Sequence, residues 1–345
     1  MNACVERLRE RLEEPLLVTD PFNVLYLSGF ESSNAALLVE PERVRLFADF
    51  RYREAASHVE GVEFTELPRN LYAGLAAELT GPVGFEPGSV SYAAYATLAG
   101  GAAELVPRAN FVEELRAVKE SDELDAIRRA AAATDDAYAG LADEPFVGRT
   151  ENELAWRMFQ RMKEAGADWV AFPSIVATGA NGAQPHAHPG ERRVEPGDFV
   201  IVDAGARIGW ACSDCTRTFA AGDVSPQLLE IYDVCLRGQL AGLAAVRAGV
   251  TAHDADAAAR EVIAAAGYGE QFGHGLGHGV GMEVHEAPGL RPESEDVLAA
   301  GNVVTVEPGI YLPGVGGVRI EDLIVVTDGE AEVLSGYTKE LVQVL

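Results

Sequence analysis

Two apolar runs in this chain are broken by acids at places where a buried strand does not tolerate them. Phe199-Val-Ile-Val ends in Asp203, and Val303-Val-Thr-Val runs into Glu307. Each run is followed by a second strand-like stretch with an acid of its own, Asp214 in the first case and Glu321 in the second. A carboxylate on a buried strand is costly unless a cation, a proton or hydrogen bonds meet it. Folding the first stretch about Ile208-Gly209 puts Asp203 and Asp214 nearly opposite each other, with side chains about 5 Å apart. Any fold for this chain must bring these strand-borne carboxylates together and neutralise them. For the first pair alone, a salt bridge to Arg207 or Arg217 and a bound metal ion are both open. Four inward carboxylates in one cleft call for more than one cation.

The surrounding pattern repeats in order, though not residue by residue. Helix starts are predicted at Ser121, a fair N-cap followed by Asp122 and Glu123, and at the capping-box sequence Thr150-Glu-Asn-Glu153. The first hairpin, 199–205 with 211–219, comes next. A helix starting at Ser225-Pro226 and another running from Thr251 to Gly267 follow. The second hairpin, 303–307 with 318–326, closes the series across the Pro/Gly loop 308–317. Helix, helix, hairpin, taken twice, predicts two similar halves facing each other with a site between them. Upstream, strands are predicted at 16–19, 24–28, 36–40, 44–48 and 62–67, and helices at 52–59 and 70–79, punctuated by Gly81-Pro82 and Pro87-Gly88. The expected organisation is α+β: a small α/β domain over 1–114 and a second domain over 115–345.

Composition narrows the function classes. Across 345 residues the formal net charge is −27, with 48% hydrophobic and 23% charged residues. Such usage is ordinary for a globular protein, and the length suggests two domains. So acidic a surface repels phosphate backbones and anionic lipid, which disfavours nucleic acid and membrane surfaces as partners. Lys119, Lys163 and Lys339 are the only lysines. GC-rich coding bias and salt adaptation both fit that scarcity. The first residues carry no apolar core segment, and no uncharged apolar run approaches about 18 residues, so neither a signal peptide nor a membrane span is expected. Four cysteines point to a reducing cytoplasm rather than a disulfide framework.

Between the hairpins, Phe272-Gly-His-Gly-Leu-Gly-His-Gly-Val-Gly-Met-Glu-Val-His-Glu holds His274, His278 and His285. The spacing is not that of a dinucleotide-binding fingerprint. Three of seven histidines so close to a cleft of four carboxylates read as functional rather than as core residues. His186 is a fourth candidate, with His188 nearby, whereas His58 and His253 read as surface residues. Oxygen ligands with one imidazole suit a pair of first-row divalent ions, Mn or Co, with Zn as an alternative. Two such ions about 3.5–4 Å apart can activate water and polarise a carbonyl, which suits amide hydrolysis. Cys212 and Cys215 form a CxxC, but on a strand they point to opposite faces and read as packing residues.

With these residues in place the chain resembles the pita-bread metallopeptidases, which include methionine aminopeptidase, Xaa-Pro aminopeptidase and Xaa-Pro dipeptidase (prolidase). The resemblance rests on Val-Asp-Ala-Gly-Ala around 203, Ser-Asp-Cys-Thr-Arg-Thr around 214, Gly-His-Gly around 278, Val-Glu-Pro-Gly-Ile-Tyr around 307 and Arg-Ile-Glu-Asp around 321. It is strong over 115–345 and looser over 1–114, which looks like the N-terminal domain of the proline-specific branch. It implies a pseudo-twofold pita-bread domain holding two divalent ions through Asp203, Asp214, His278, Glu307 and Glu321. Asp214 and Glu321 would bridge, and Glu307 would also act as general base. His186 and His285 match the family's catalytic histidines that do not bind metal. His274, Tyr311 and Arg319 match residues that line a proline pocket or brace the ligands; Arg319 also suits a bracing role by spacing alone. The implied substrate is a peptide with proline at its second position, and the implied assembly is a homodimer. Creatinase-like relatives lack metal, but here all five ligands stand. Prolidases often carry His-Glu-X-Pro-Arg, whose arginine holds a dipeptide's carboxylate; here the sequence is His285-Glu-Ala-Pro-Gly-Leu-Arg291. Asp49-Phe-Arg-Tyr52 looks like a motif of the aminopeptidases. Both features incline the reading toward an Xaa-Pro aminopeptidase.

Overall fold

A computed structural model describes residues 3–345 and divides the chain at 116/117 into two compact units. In the first, the strands are β1 (Leu16–Val18), β2 (Ala35–Val39), β3 (Val44–Ala48), β4 (Glu63–Glu66), β5 (Thr80–Phe85) and β6 (Ala102–Pro107). They form one mixed sheet in the order β4-β3-β2-β1-β5-β6. Every residue of β1 and β2 is buried, so both faces of the sheet's centre are covered. Helices α1 (Ala3–Arg9), α2 (Pro21–Ser28), α3 (Arg53–Ser57), α4 (Leu71–Glu78) and α5 (Tyr92–Ala99) supply the cover, and α6 (Glu113–Ala117) spans the division. Leu71 and Leu75 of α4 and Leu98 of α5 pack on Leu17, Leu38, Phe47 and Val83.

The strand expected at 24–28 is α2 instead. Asp20 caps it by accepting from the N–H groups of Phe22 and Asn23, Pro21 takes the first turn, and Gly29 ends it at φ 70°. An Asp-Pro start and a glycine stop outweigh a short apolar run that suits either state. Asp49 and Arg51 likewise serve local structure. The Asp49 carboxylate caps the turn at Phe50–Tyr52 and pairs with the Arg51 guanidinium at 2.6 Å, and Tyr52 bonds Ser33. These contacts account for the Asp-X-Arg-Tyr sequence without reference to any substrate.

The second unit follows the repeated order. It runs α7 (Ser121–Ala142), α8 (Glu151–Glu164), β7 (Trp169–Val170), β8 (Ile175–Thr178), β9 (Phe199–Ala204), β10 (Ala206–Ile208), β11 (Ala211–Cys212) and β12 (Cys215–Ala221). Then come α9 (Pro226–Ala245), α10 (Ala252–Ala265), β13 (Gly277–Gly279), β14 (Glu286–Leu290), β15 (Val303–Val306), β16 (Gly309–Leu312), β17 (Gly316–Arg319) and β18 (Asp322–Val325). Glu120, not Ser121, caps α7, and its N–H donates to the Glu123 carboxylate at 2.8 Å. Thr150, Ser225 and Thr251 cap α8, α9 and α10 as expected. In the first half Tyr138, Leu154 and Met158 pack on Val176, Val200 and Val202; in the second Ala255 and Ala259 pack on Leu276, Val304 and Ile324. The halves join where the Glu321 N–H donates to the Thr216 carbonyl, placing β12 beside the β17–β18 segment. The buried Tyr138 hydroxyl lies 2.8 and 2.7 Å from the carbonyls of Val202 and Cys215, neighbours of Asp203 and Asp214. Among the described residues, no helix is long and apolar enough to cross a membrane.

Candidate metal centre

Strand register decides which acids meet. β9 and β12 pair Asp203 with Thr216, and β10 and β11 continue that register to Ile208 with Ala211. The turn is therefore Gly209-Trp210, with Gly209 at φ 58°. It lies one residue beyond the expected position. Asp214 consequently sits two residues along from the partner of Asp203, a diagonal neighbour on the same face rather than an opposite one. In the second hairpin, Val306 pairs with Asp322 and Gly309 with Arg319, so Glu307 and Glu321 stand opposite each other.

These four acids line a single cleft of about 490 Å³ together with His186, His274, His278, His285, Arg291 and Arg319. Oxygens of Asp214 and Glu321 and a nitrogen of His278 all lie within 4.8 Å of one another. The His278 Nδ1–H donates to the Gly279 carbonyl at 3.1 Å, and Nε2 lies 3.2 Å from Glu307 and 3.6 Å from Asp214. Facing two carboxylates, Nε2 needs either a proton of its own or a cation between them. Buried Asp203 Oδ1, Asp214 Oδ1 and Glu321 Oε1 meet no hydrogen-bond donor. Burial raises the pKa of Asp214 and Glu321 well above the usual carboxylate range, and neighbouring acids raise them further. Burial also pushes up Glu307, but its hydrogen bond with His278 prevails and holds it at about 2. This donor set is short of positive charge and fits divalent cations.

Neutral groups and one guanidinium orient the acids. Thr216 donates to Glu321 Oε2 at 2.7 Å, and Thr305 donates to Glu307 Oε1 at 3.2 Å. The partner of Asp203 is neither Arg207 nor Arg217 but Arg319, at 2.6 Å. Arg217 instead pairs with Asp322 at 3.0 Å. Arg319 also donates to the Tyr311 hydroxyl at 3.0 Å, and that hydroxyl lies 3.0 Å from His274 Nε2. Since His274 Nδ1 bonds the Gly275 carbonyl at 2.8 Å, a chain runs from Arg319 through Tyr311 to His274. Tyr311 thus stands behind the cleft wall as a brace. Burial lowers the pKa of His274; burial and then nearby His278 lower that of His285, whose ring centroid is 4.2 Å from that of His278. His188 does not line the cleft, and His58 and His253 are exposed away from it. All four cysteines are buried.

The sequence reading passed over Thr216 and Thr305. Each lies two residues from an acid on its own strand, the same-face interval that singled out Arg319. Position 289, where prolidases carry their arginine, lies on β14, and 291 follows two residues later. Arg291 lies just past the end of that strand, in a bend. A Cβ built on Gly289 would lie 3.8 Å from Arg291 Nε, so the guanidinium passes over the site of the missing side chain. Among the described residues Arg291 has no ion-pair partner.

If the carboxylates await cations, metal should stabilise the fold. Adding Mn(II) at about a hundredfold excess over its Kd should stabilise by about 2.7 kcal/mol and raise Tm by about 5–10 °C. Calorimetry with and without chelator measures this, and an unmoved Tm would count against a metal centre.

Residues 125–328 match the model of "Metallopeptidase family M24", and residues 2–118 that of the "Creatinase/Prolidase N-terminal domain". The chain is 41% identical to "Uncharacterized peptidase YqhT" of Bacillus subtilis, covering 95% of each chain. Among solved structures it resembles an Xaa-Pro dipeptidase from Bacillus anthracis, with TM-score 0.94, 37% identity and 98% of each chain covered. It also resembles an X-Pro aminopeptidase from Thermotoga maritima, with TM-score 0.88 and 31% identity over 98% of this chain and 100% of that one.

Proposed function

The chain belongs to metallopeptidase family M24, and on that premise we propose that it is an Xaa-Pro dipeptidase that works with two divalent ions, Mn first among them. One observation carries this reading: an unpaired arginine, Arg291, stands in the same cleft as the acid–histidine cluster. A dipeptide's free carboxylate lies one residue beyond the scissile bond, and a guanidinium holds it well. The greater similarity to the B. anthracis dipeptidase than to the T. maritima aminopeptidase supports the same choice. This replaces the inclination toward an aminopeptidase, since the Arg291 guanidinium passes beside position 289 and Asp49-Phe-Arg-Tyr52 has a local role.

Asp203, Asp214, His278, Glu307 and Glu321 would hold the ions. When bound, divalent ions supply Lewis acidity to the scissile carbonyl and make the attacking water more acidic. Glu307, ionised at any working pH, takes that water's proton. His285 and His186 steady the carbonyl oxygen as charge builds on it. His274, held by Tyr311 and Arg319, presents a fixed edge to the proline ring, whose bond has no N–H for a general peptidase to grip. Arg319 holds Asp203 in place. The chemistry belongs to the unit 117–345. A homodimer is proposed on the family resemblance, to be tested by sedimentation, and four buried thiols fit a reducing cytoplasm.

The test is a product assay by mass on Mn-loaded protein, offered an Xaa-Pro dipeptide and a longer Xaa-Pro peptide. Cleavage of the dipeptide at least about a hundredfold faster than the longer peptide is expected. Comparable release of the first residue from the longer peptide would make it an aminopeptidase, and no cleavage of either would overturn the reading.

A further inference from the structure

Glu151, the first residue of α8, is only 1% exposed and takes no part in the chemistry above. Among the described residues, no cationic side chain forms an ion pair with it. Oε1 accepts from the Thr178 N–H at 2.8 Å and from Asn181 Nδ2 at 3.0 Å. Oε2 accepts from Asn181 Nδ2 at 2.9 Å and from the Gly190 N–H at 2.9 Å. All these donors belong to one loop. Thr178 ends β8 and begins the loop, Gly190 ends it, and His186 lies between.

A buried, ionised carboxylate without a counter-charge is costly, and only a full set of donors offsets that cost. The donor set here selects glutamate. A glutamine has one acceptor oxygen, and its NH₂ would face N–H groups that also donate. A loop needing only stability would be served by apolar packing, so what the carboxylate adds is a fixed separation and direction of the loop's two feet. The tip is tied independently: the Pro185 carbonyl accepts from Arg319 at 3.1 Å, and the same guanidinium holds Asp203. Feet and tip together set where His186 stands relative to the acids.

We propose that Glu151 is a positioning residue for His186, closing the 178–190 loop from below so that the imidazole is presented to the cleft. The proposal rests on the reading that His186 faces the substrate.

The test uses the full chain with isotope-labelled histidine and the Glu151→Gln variant. In metal-free protein the His186 ring resonance, assigned by its loss in His186→Ala, should shift or broaden while those of His58 and His253 stay. In metal-loaded protein, Glu151→Gln should lower kcat/KM on an Xaa-Pro dipeptide about tenfold, but less than twofold when His186 is already alanine. An unmoved His186 resonance, or equal losses in both backgrounds, would overturn the proposal. Should the glutamine variant not fold, Asn181→Ala removes that residue's bonds to Glu151 and is read the same way. A wild-type enzyme that cleaves no Xaa-Pro dipeptide would defeat the functional reading, while the resonance still decides the role of Glu151.

Discussion

Glu307→Gln should lower kcat on an Xaa-Pro dipeptide by about a thousandfold, or roughly 4 kcal/mol. The substitution keeps the shape and removes the charge. In the wild type His278 holds the Glu307 carboxyl at about 2 despite its burial, so the group is ionised and free of its own proton throughout the working range. Glutamine cannot take the water's proton, and its NH₂ would face His278 Nε2, which lies 3.2 Å from Glu307 Oε1. Because Glu307 is also assigned as a ligand, metal content must be measured on the same sample. A thousandfold loss at full metal occupancy isolates the proton-transfer role, and a matching fall in bound metal assigns part of the loss to ligation. Turnover within tenfold of wild type at full occupancy would remove Glu307 from the chemistry.

Much of this centre was legible in the sequence because burying an acid on an apolar strand leaves few outcomes. Asp203, Glu307 and Glu321 each broke such a run, Asp214 followed from the hairpin, and the four meet in one cleft. What was not legible depends on register and on contacts across the halves. A turn one residue later than expected made Asp203 and Asp214 diagonal neighbours, a difference that no composition or period reveals. Arg319 as the partner of Asp203 comes from the opposite half, 116 residues away. Nothing local distinguishes it from Arg207 or Arg217, which are nearer in sequence. In the first unit α2 was misread because the four apolar residues 24–27 fit strand or helix alike. The cap at Asp20 and the stop at Gly29 carried the answer.

Arg291 offers the sharper test of substrate class. Arg291→Ala should raise KM for an Xaa-Pro dipeptide about a hundredfold, the loss of one charge-assisted contact of roughly 1.5–3 kcal/mol. On the same dipeptide with its carboxylate amidated, the variant and the wild type should differ by less than about threefold, since the neutral end gives the guanidinium little to hold. The geometry adds a second arm. Arg291 follows the end of β14, and the Gly289 Cβ position lies within 4.0 Å of the Arg291 guanidinium carbon. Moving the arginine back, by Gly289→Arg with Arg291→Gly, should therefore recover most of the lost affinity. If Arg291→Ala weakened the free and amidated dipeptides equally, the arginine would be shaping the cleft rather than reading a carboxylate. The choice of dipeptide over longer peptide would then have to come from how the cleft ends, because no other unpaired cation lines it among the described residues.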